Sequence, residues 1–498
     1  MDTVTTQPSR HSTPPADQDL HLVVVGGGIT GLAAAWQGVR RGARVSLFEA
    51  GPRLGGKLHT VHRDGFVVEA GPDSFVRYRP AALQLIDELG LSGEVIGAGG
   101  GRRVSLLSRG KLRPMPAGMG MVLPTRMWPF VTTSVLSWPD KLRAGLDLFI
   151  PRQLGEGDIA IGDFLRKRLG DGIVRRFADP MVGGIYGAGV DELSLDAVLP
   201  SLRASEQEYR SLMVASLAQG RERRRKAAGA TSTGGPSASM FATVRGGLGQ
   251  LVDALDRALR AAGAQIRTGV AVSGLDDQGI ALDNGERVDA DAVILAGGVA
   301  SSRLLLSRTV PGAAQALAEV PLASTTIVSL GWKSSDFDTV PESQGWLEAD
   351  EGSFSGLTVS SVKFAGRAPE DSVLVRVFVP DKRGPLCAAP DDELVAATLV
   401  HVGPLLGVRA RPRLVEISRW PGLMPKYTVG HLGRAATVDA ALRDGHPHWA
   451  VAGSALHGVG IPDCIADARS RTDAVLDAAR DAHRGGTGPR TRVEQAGR

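Results

Sequence analysis

Three apolar runs lie far apart in the chain: Leu22–Val25, the stretch within Asp291–Ala296, and Trp449–Gly453. None alternates polar with apolar positions, so each reads as a strand buried on both faces, the habit of a parallel sheet. Arg44–Glu49 is a further strand, reached from the first across a helix. Helical three-to-four spacing governs Ala81–Leu89, Ile161–Leu169 and Gly172–Pro180, inside a broadly helical stretch from about Pro80 to Leu212 that prolines 114, 116, 124, 129 and 139 interrupt. Leu251–Ala261 then reads as a helix, Ala264–Arg267 as a strand, and Gly279–Val288 as a hairpin turning at Asn284-Gly285. Thr325–Trp332, Leu357–Lys363 and Val373–Val379 are strands of a second sheet, and a helix follows from about Ile465.

This order predicts an α/β chain whose Rossmann-like nucleotide domain is assembled from residues 21–85, 240–305 and 441–482. A helical domain (86–212) and a mixed-sheet substrate domain (306–440) are inserted into it, with a basic Gly/Ser-rich loop at 213–239. Residues 1–20 and 483–498 read as disordered extensions. At 498 residues the chain exceeds what one core holds, which agrees with this division.

Composition narrows the class. The net charge of +4 is small for this length, and the run Arg221–Lys226 has no interleaved aromatics, so nucleic-acid binding is not expected. Two cysteines far apart, Cys387 and Cys464, argue against a disulfide framework, an iron–sulfur cluster or structural zinc, and no metal site is expected. Residues 1–20 include Asp2, Asp17 and Asp19 and lack both a secretory apolar core and an Arg-rich transit pattern. No apolar run reaches the ~18 residues of a spanning helix. A cytoplasmic location is expected, with a peripheral contact at the inner face of the membrane left open.

The chemistry starts at Gly26-Gly27-Gly28-Ile29-Thr30-Gly31, between the first strand and a helix. Gly26 permits the tight turn, Gly28 lets backbone approach a pyrophosphate, and Gly31 lets helix pack on strand. Glu49 ends the next strand, placed to accept hydrogen bonds from an adenosine ribose. A second glycine turn, Arg53-Leu54-Gly55-Gly56-Lys57, follows at once. A nicotinamide site has no need of it, whereas a tightly held flavin dinucleotide must be covered by more backbone. The cofactor read from these residues is FAD.

Blocks further on resemble the FAD-dependent porphyrinogen oxidases of haem synthesis, within the amine-oxidase-like flavoproteins. They are Glu69–Phe75, Pro180–Gly187 with Leu193-Ser194, Phe241 with Arg245–Leu248, Arg419–Pro421 with Met424–Tyr427 and Gly430-His431, and Gly458–Ile465. The resemblance covers roughly residues 21–480 and implies an amine-oxidase-type FAD domain. It implies further cofactor contacts at Gly71, Pro72, Asp73, Ser74, Val272, Trp420, Val459, Gly460 and Ile461, beside those at Gly26–Gly31, Glu49, Arg53, Gly56 and Lys57. A helix N-terminus near the ring would stabilise the anionic reduced flavin. Asp463 is expected to cap that helix, and His431 and His457 to be structural.

The resemblance also implies the reaction: six electrons leave a porphyrinogen in three turns, molecular oxygen reoxidises FAD, and hydrogen peroxide is released. Coproporphyrinogen III is the favoured substrate and protoporphyrinogen IX the alternative, and hand-off of the product to a ferrochelatase is compatible. No Ser/His/Asp set or zinc motif appears, and no catalytic residue is assigned. Hydride removal to a flavin is mainly a matter of positioning. Propionates need cations, for which Arg103, just before a strand read at Val104–Leu107, and Lys363, Arg376 and Lys426 are candidates, and Gly183-Gly184 is a flat wall for the ring. An amine oxidase, a carotenoid desaturase and a non-catalytic porphyrin carrier are the rivals. Met115–Leu136, apolar with Trp128 and Arg126, is placed in one leaflet, inside the helical domain or between subunits; the oligomeric state stays open.

Overall fold

The computed structural model describes residues 17, 19–99, 104–229 and 239–485. The buried apolar runs come together in one five-stranded parallel sheet, in the order Gln265–Thr268, Arg44–Glu49, His21–Val25, Ala292–Leu295, Trp449–Val451. Val24 sits beside Leu47 on one side and Ile294 on the other, and Ile294 beside Ala450. Both faces are covered, which is why these strands carry no polar alternation. The helices Ile29–Arg41 and Ile461–Arg484 pack on one face, and Val299–Leu306, Pro311–Ala318 and His431–Gly445 on the other.

The second sheet has seven strands, in the order Leu414–Pro425, Leu322–Lys333, Ser372–Pro380, Gly356–Val359, Gly345–Glu348, Val104–Ser108, Lys111–Pro114. Two of these lie in the stretch assigned to the helical domain: the strand read at Val104–Leu107 is present as Val104–Ser108, but with Lys111–Pro114 it belongs to the substrate sheet. Another strand of that segment, Val95–Gly97, pairs with Phe241–Val244 beside the nucleotide unit. The strand expected at Leu357–Lys363 stops at Val359, and Ser360–Lys363 turn into a short helix.

The helical domain closes over Phe164, Leu165, Phe177 and Leu193, all fully buried. Within it Val174–Gly183 is wound as a π-helix that carries Pro180. Wide turns of this kind recur at functional sites. The domain also buries Arg168, whose guanidinium reaches Asp147 at 2.6 Å and Glu206 at 3.3 Å.

Three segments read as unstructured are ordered where they are described. Leu212–Gly229 is one helix, so the run Arg221–Lys226 extends a helix and is not a loop; Arg, Glu, Lys and Ala are strong helix formers. The residues from 230 to 238 lie outside the described part. Asp17 is buried and anchored by Arg41 at 2.9 Å and by Arg480. His483 and Arg484 complete the last helix, while 1–16, 18 and 486–498 lie outside the described residues.

Candidate active site

The three glycines of the first turn have different neighbours. Gly26 has φ +107°, and a Cβ there would meet the Ala296–Gly297 backbone at 2.8 Å. A Cβ on Gly31 would stand 1.8 Å from the Gly26 carbonyl oxygen, so the helix beginning at Ile29 packs on the turn only without a side chain. A Cβ on Gly28, the N-cap, would meet nothing within 4 Å. Backbone is thus presented to open space at a helix N-terminus, the geometry that binds a pyrophosphate.

Glu49 closes this cradle. Its carboxylate accepts from the Gly27 N–H at 2.6 Å and the Gly51 N–H at 2.7 Å, with lone pairs left for a ribose diol. Gly269 and Val270 donate to the carbonyls of Gly51 and Glu49, which brings the chain leading to Val272 alongside. The second turn folds back on the first. Gly55 N donates to Gly27 O at 2.8 Å, and Arg53 holds the carbonyls of Leu54 and Gly56 at 3.2 and 2.9 Å.

At the other end, a Cβ on Gly71 would lie 2.0 Å from the Lys57 carbonyl oxygen, so the turns at 55–57 and 70–74 abut. Burial pushes the Lys57 ammonium below its ordinary range. Trp420 Nε1 donates to Ala70 O at 2.7 Å, and Arg376 donates to Gly71 O. Lys363 donates to both oxygens of Asp73 at 2.9 Å, and Ser74 Oγ to one of them at 2.7 Å. Burial alone would raise the Asp73 carboxyl, but the Lys363 and Arg376 cations outweigh it and hold the group well below the usual carboxylate range.

The C-terminal turn completes the ring of contacts. Gly453 (φ +88°) fits against Thr30, where a Cβ would stand 2.3 Å from Oγ1. The last helix begins at Ile461, four residues earlier than expected, with Gly460 as N-cap and Val459 just before it. Asp463 does not cap it; it lies in the first turn and pairs with Arg79. Tyr427, which sequence reading left unassigned, accepts from Gly458 N at 2.6 Å and donates to Ser454 O at 3.0 Å. Its ring stacks on His431 with centroids 3.7 Å apart, and His431 Nε2 lies 2.9 Å from Leu456 O.

The expected substrate residues fare differently. Arg376 is fully buried against Gly71 and Asp73, so it supports the turn at 70–74 and presents no exposed cation to a substrate. Gly183 is small for an internal reason: a Cβ would stand 2.4 Å from Lys382 Nζ and 2.7 Å from Ala188 O. Lys363 is engaged by Asp73, and Lys426 pairs with half-exposed Glu192 at 3.3 Å. Arg103 lies outside the described residues. Gly184 is exposed with open space over it, beside exposed Ile185 and half-buried Tyr186. Arg79, half exposed, paired with Asp463 and close enough to Tyr186 to act on it electrostatically, is a further cation that sequence reading did not consider. It belongs to no periodic pattern; its only signal is its position just after the Gly71–Phe75 block.

The profile of the flavin-containing amine oxidoreductases matches residues 29–476. The chain belongs to that family. FAD is therefore its cofactor and the protein is an oxidoreductase, which agrees with the open Gly28 cradle and the two-pronged Glu49. The chain is 66% identical over 486 residues to the coproporphyrinogen III oxidase of Propionibacterium freudenreichii subsp. freudenreichii, covering 93% of this chain and 92% of the relative. It is 32% identical to the coproporphyrinogen III oxidase of Bacillus subtilis, covering 93% and 98%. A solved structure from Exiguobacterium sp., provisionally named a protoporphyrinogen oxidase, superposes with TM-score 0.79 at 30% identity and covers 92% of this chain and 99% of that one. Among the described residues of this flavoprotein no His, Cys, Asp and Glu group could hold a metal ion, and no helix is long and apolar enough to cross a membrane.

His431 makes one property of the turn around Leu456 measurable. Burial lowers its pKa to about 4, from an unfolded value near ~6.5. The unfolded chain then binds the extra proton first, so stability is full above ~6.5 and falls as pH drops toward about 4, by on the order of 3 kcal/mol. Denaturation midpoints measured across this window should slope in the native protein and flatten in His431→Gln.

Proposed function

We propose that the protein oxidises coproporphyrinogen III to coproporphyrin III, with molecular oxygen as the electron acceptor. The single observation that carries this reading is the 66% identity to a coproporphyrinogen III oxidase over nearly the whole of both chains. Bound FAD supplies a two-electron acceptor for the hydride of a methylene bridge. Six electrons leave the macrocycle in three rounds, and three molecules of oxygen become three of hydrogen peroxide.

The chain's own part in this is positioning. Trp420 and Arg376 fix the Ala70-Gly71 backbone, Lys363 and Arg376 fix Asp73, and Tyr427 fixes the turn before the Gly460 helix start. We assign the wall for the planar ring to Gly184 with Ile185 and Tyr186, where a glycine leaves open space. Arg79 takes a propionate. Its guanidinium is half exposed and can reach an incoming carboxylate while Asp463 holds its other side. Arg79→Ala should raise KM roughly tenfold with a smaller change in kcat, because an exposed charge-assisted contact is made in ground and transition states alike.

Steady-state turnover on the two porphyrinogens tests the substrate assignment. Coproporphyrinogen III should turn over faster than protoporphyrinogen IX at equal concentration. A protoporphyrinogen rate well above the coproporphyrinogen rate would overturn it.

A further inference from the structure

The wall Gly184–Tyr186 has little rigidity of its own. It is a single helical turn between the π-helix and a loop that contains Gly187, at φ +64°, and Gly189. Beside it a cleft of about 760 Å³ separates the π-helix from the substrate sheet, lined by Arg176, Asp179, Asp350 and Lys382 among others. Charged side chains that cross this cleft therefore set the distance between the two. Arg176 crosses to Asp350 at 3.0 Å, and three residues further along the π-helix Asp179 meets Lys382.

Lys382 belongs to the turn Asp381–Arg383, which follows the strand Ser372–Pro380. Its two neighbours fix that turn to the sheet. Asp381 accepts from Ser324 N at 2.6 Å, and Arg383 donates to the carbonyls of Glu348 and Asp350 at 2.8 and 2.7 Å. Lys382 reaches the other way. Its Nζ donates to Ala188 O at 3.2 Å and stands 3.5 Å from Asp179 Oδ1, which itself accepts from Val190 N at 3.1 Å. The same ammonium fills the space that a Cβ on Gly183 would need, at 2.4 Å. Residues 183, 188 and 190 thus meet at one cation and its carboxylate, with the wall between them in the chain. A lysine suits the place, because its compact head turns its donors to a carbonyl and a carboxylate at once. Burial pushes the ammonium below its ordinary range, and the Asp179 carboxylate is the charge that counters this most.

We propose that Lys382 is a positioning residue for hydride transfer: it ties the wall to the substrate sheet and so fixes how the macrocycle meets the flavin. The proposal rests on the assignment of Gly184–Tyr186 as that wall. Lys382 acts through Asp179 and the Ala188 carbonyl and touches no reacting atom. A displacement of ~1 Å between reacting groups costs about 10²-fold in rate, so a loosened wall slows hydride removal more than it weakens binding.

The test uses Lys382→Met in the FAD-loaded full chain, which removes the charge and keeps much of the volume. Without substrate, backbone amides of residues 183–190 should exchange with solvent about tenfold faster than in the wild type. On anaerobic mixing, coproporphyrinogen III should reduce the flavin roughly tenfold more slowly, and kcat should fall with it while KM changes less than about threefold. FAD content, and the rate at which oxygen reoxidises dithionite-reduced flavin, should stay at wild-type values. Asp179→Asn, which keeps an acceptor for Val190 N, should give the same pattern, and combining the two should add little because both act through one contact. Unchanged amide exchange in both variants would overturn the tie. Faster exchange with wild-type flavin reduction would make the pair merely structural, and a raised KM at constant kcat would make Lys382 an anchor; either result overturns the positioning role. The wall has its own variant: Gly184→Val should obstruct the ring, and wild-type kinetics there would refute the wall and with it the role of Lys382, whatever Lys382→Met does.

Discussion

Gly28→Val should fold but fail to hold FAD, whereas Gly31→Val should not fold stably. The two substitutions are chemically alike and three residues apart, so the contrast isolates what each glycine does. A Cβ at position 28 meets nothing within 4 Å, and the apoprotein has no reason to rearrange. Its isopropyl group would occupy the space over the helix N-terminus that suits a pyrophosphate, and the loss of backbone hydrogen bonds there is expected to weaken FAD binding at least ~10³-fold. At position 31 the same Cβ would stand 1.8 Å from the Gly26 carbonyl oxygen, a contact that only movement of the helix from the sheet can relieve. That movement opens the core around Val24 and Leu32, both fully buried, and should cost several kcal/mol. Flavin content after purification and thermal unfolding of the apoproteins separate the two. Equal melting temperatures for the two apoproteins would contradict the assignment.

Arg376→Met should destabilise the protein by about 3–5 kcal/mol and release flavin. The guanidinium is buried at the centre of a charged cluster, with Asp73 at 3.4 Å, and it donates to Gly71 O. Removing it takes away one of the cations paired with Asp73, with Lys363 still bonded to it at 2.9 Å, and leaves the Gly71 carbonyl without this donor. Methionine fills much of the volume, so the loss is electrostatic and not a cavity effect. The cofactor binding is affected through the backbone, since the same turn abuts Lys57 and the second glycine motif. Urea unfolding midpoints of wild type and variant, with and without added FAD, measure both parts. A stability change below about 1 kcal/mol would show that the cluster is not what holds this turn.

The nucleotide half of this molecule was legible in the sequence because its information is local. Gly26, Gly28, Gly31 and Glu49 act within a single strand–turn–helix–strand unit, and each buried strand announces itself by the absence of alternation. The same reasoning placed three strands of the second sheet. It missed Gly345–Glu348, which is four residues long, and Leu414–Pro425, whose Pro421 and Gly422 read as a break. It also kept Val104–Pro114 with the helices that surround it in sequence, although Val104–Ser108 pairs with residues some 240 positions away. Side-chain roles at the substrate end were the least legible. Arg376 and Gly183 are of the right type for an anchor and a wall, but burial against Gly71 and Lys382 gives them structural work. Nothing in composition or spacing distinguishes a buried arginine from an exposed one when both lie on a strand. Arg79 acts through Asp463, 384 residues away, and Tyr427 through Ser454 and Gly458, 27 and 31 residues away, and only folding brings these partners close.

The central claim is that this site passes hydride from a porphyrinogen to bound FAD. Anaerobic mixing of the FAD-loaded protein with coproporphyrinogen III tests it most directly. The oxidised flavin band should bleach within the turnover time, and readmitted oxygen should restore it, with coproporphyrin fluorescence appearing and three equivalents of peroxide formed per porphyrin. A flavin that stays oxidised while the porphyrinogen binds would contradict the claim and leave the protein a porphyrin carrier.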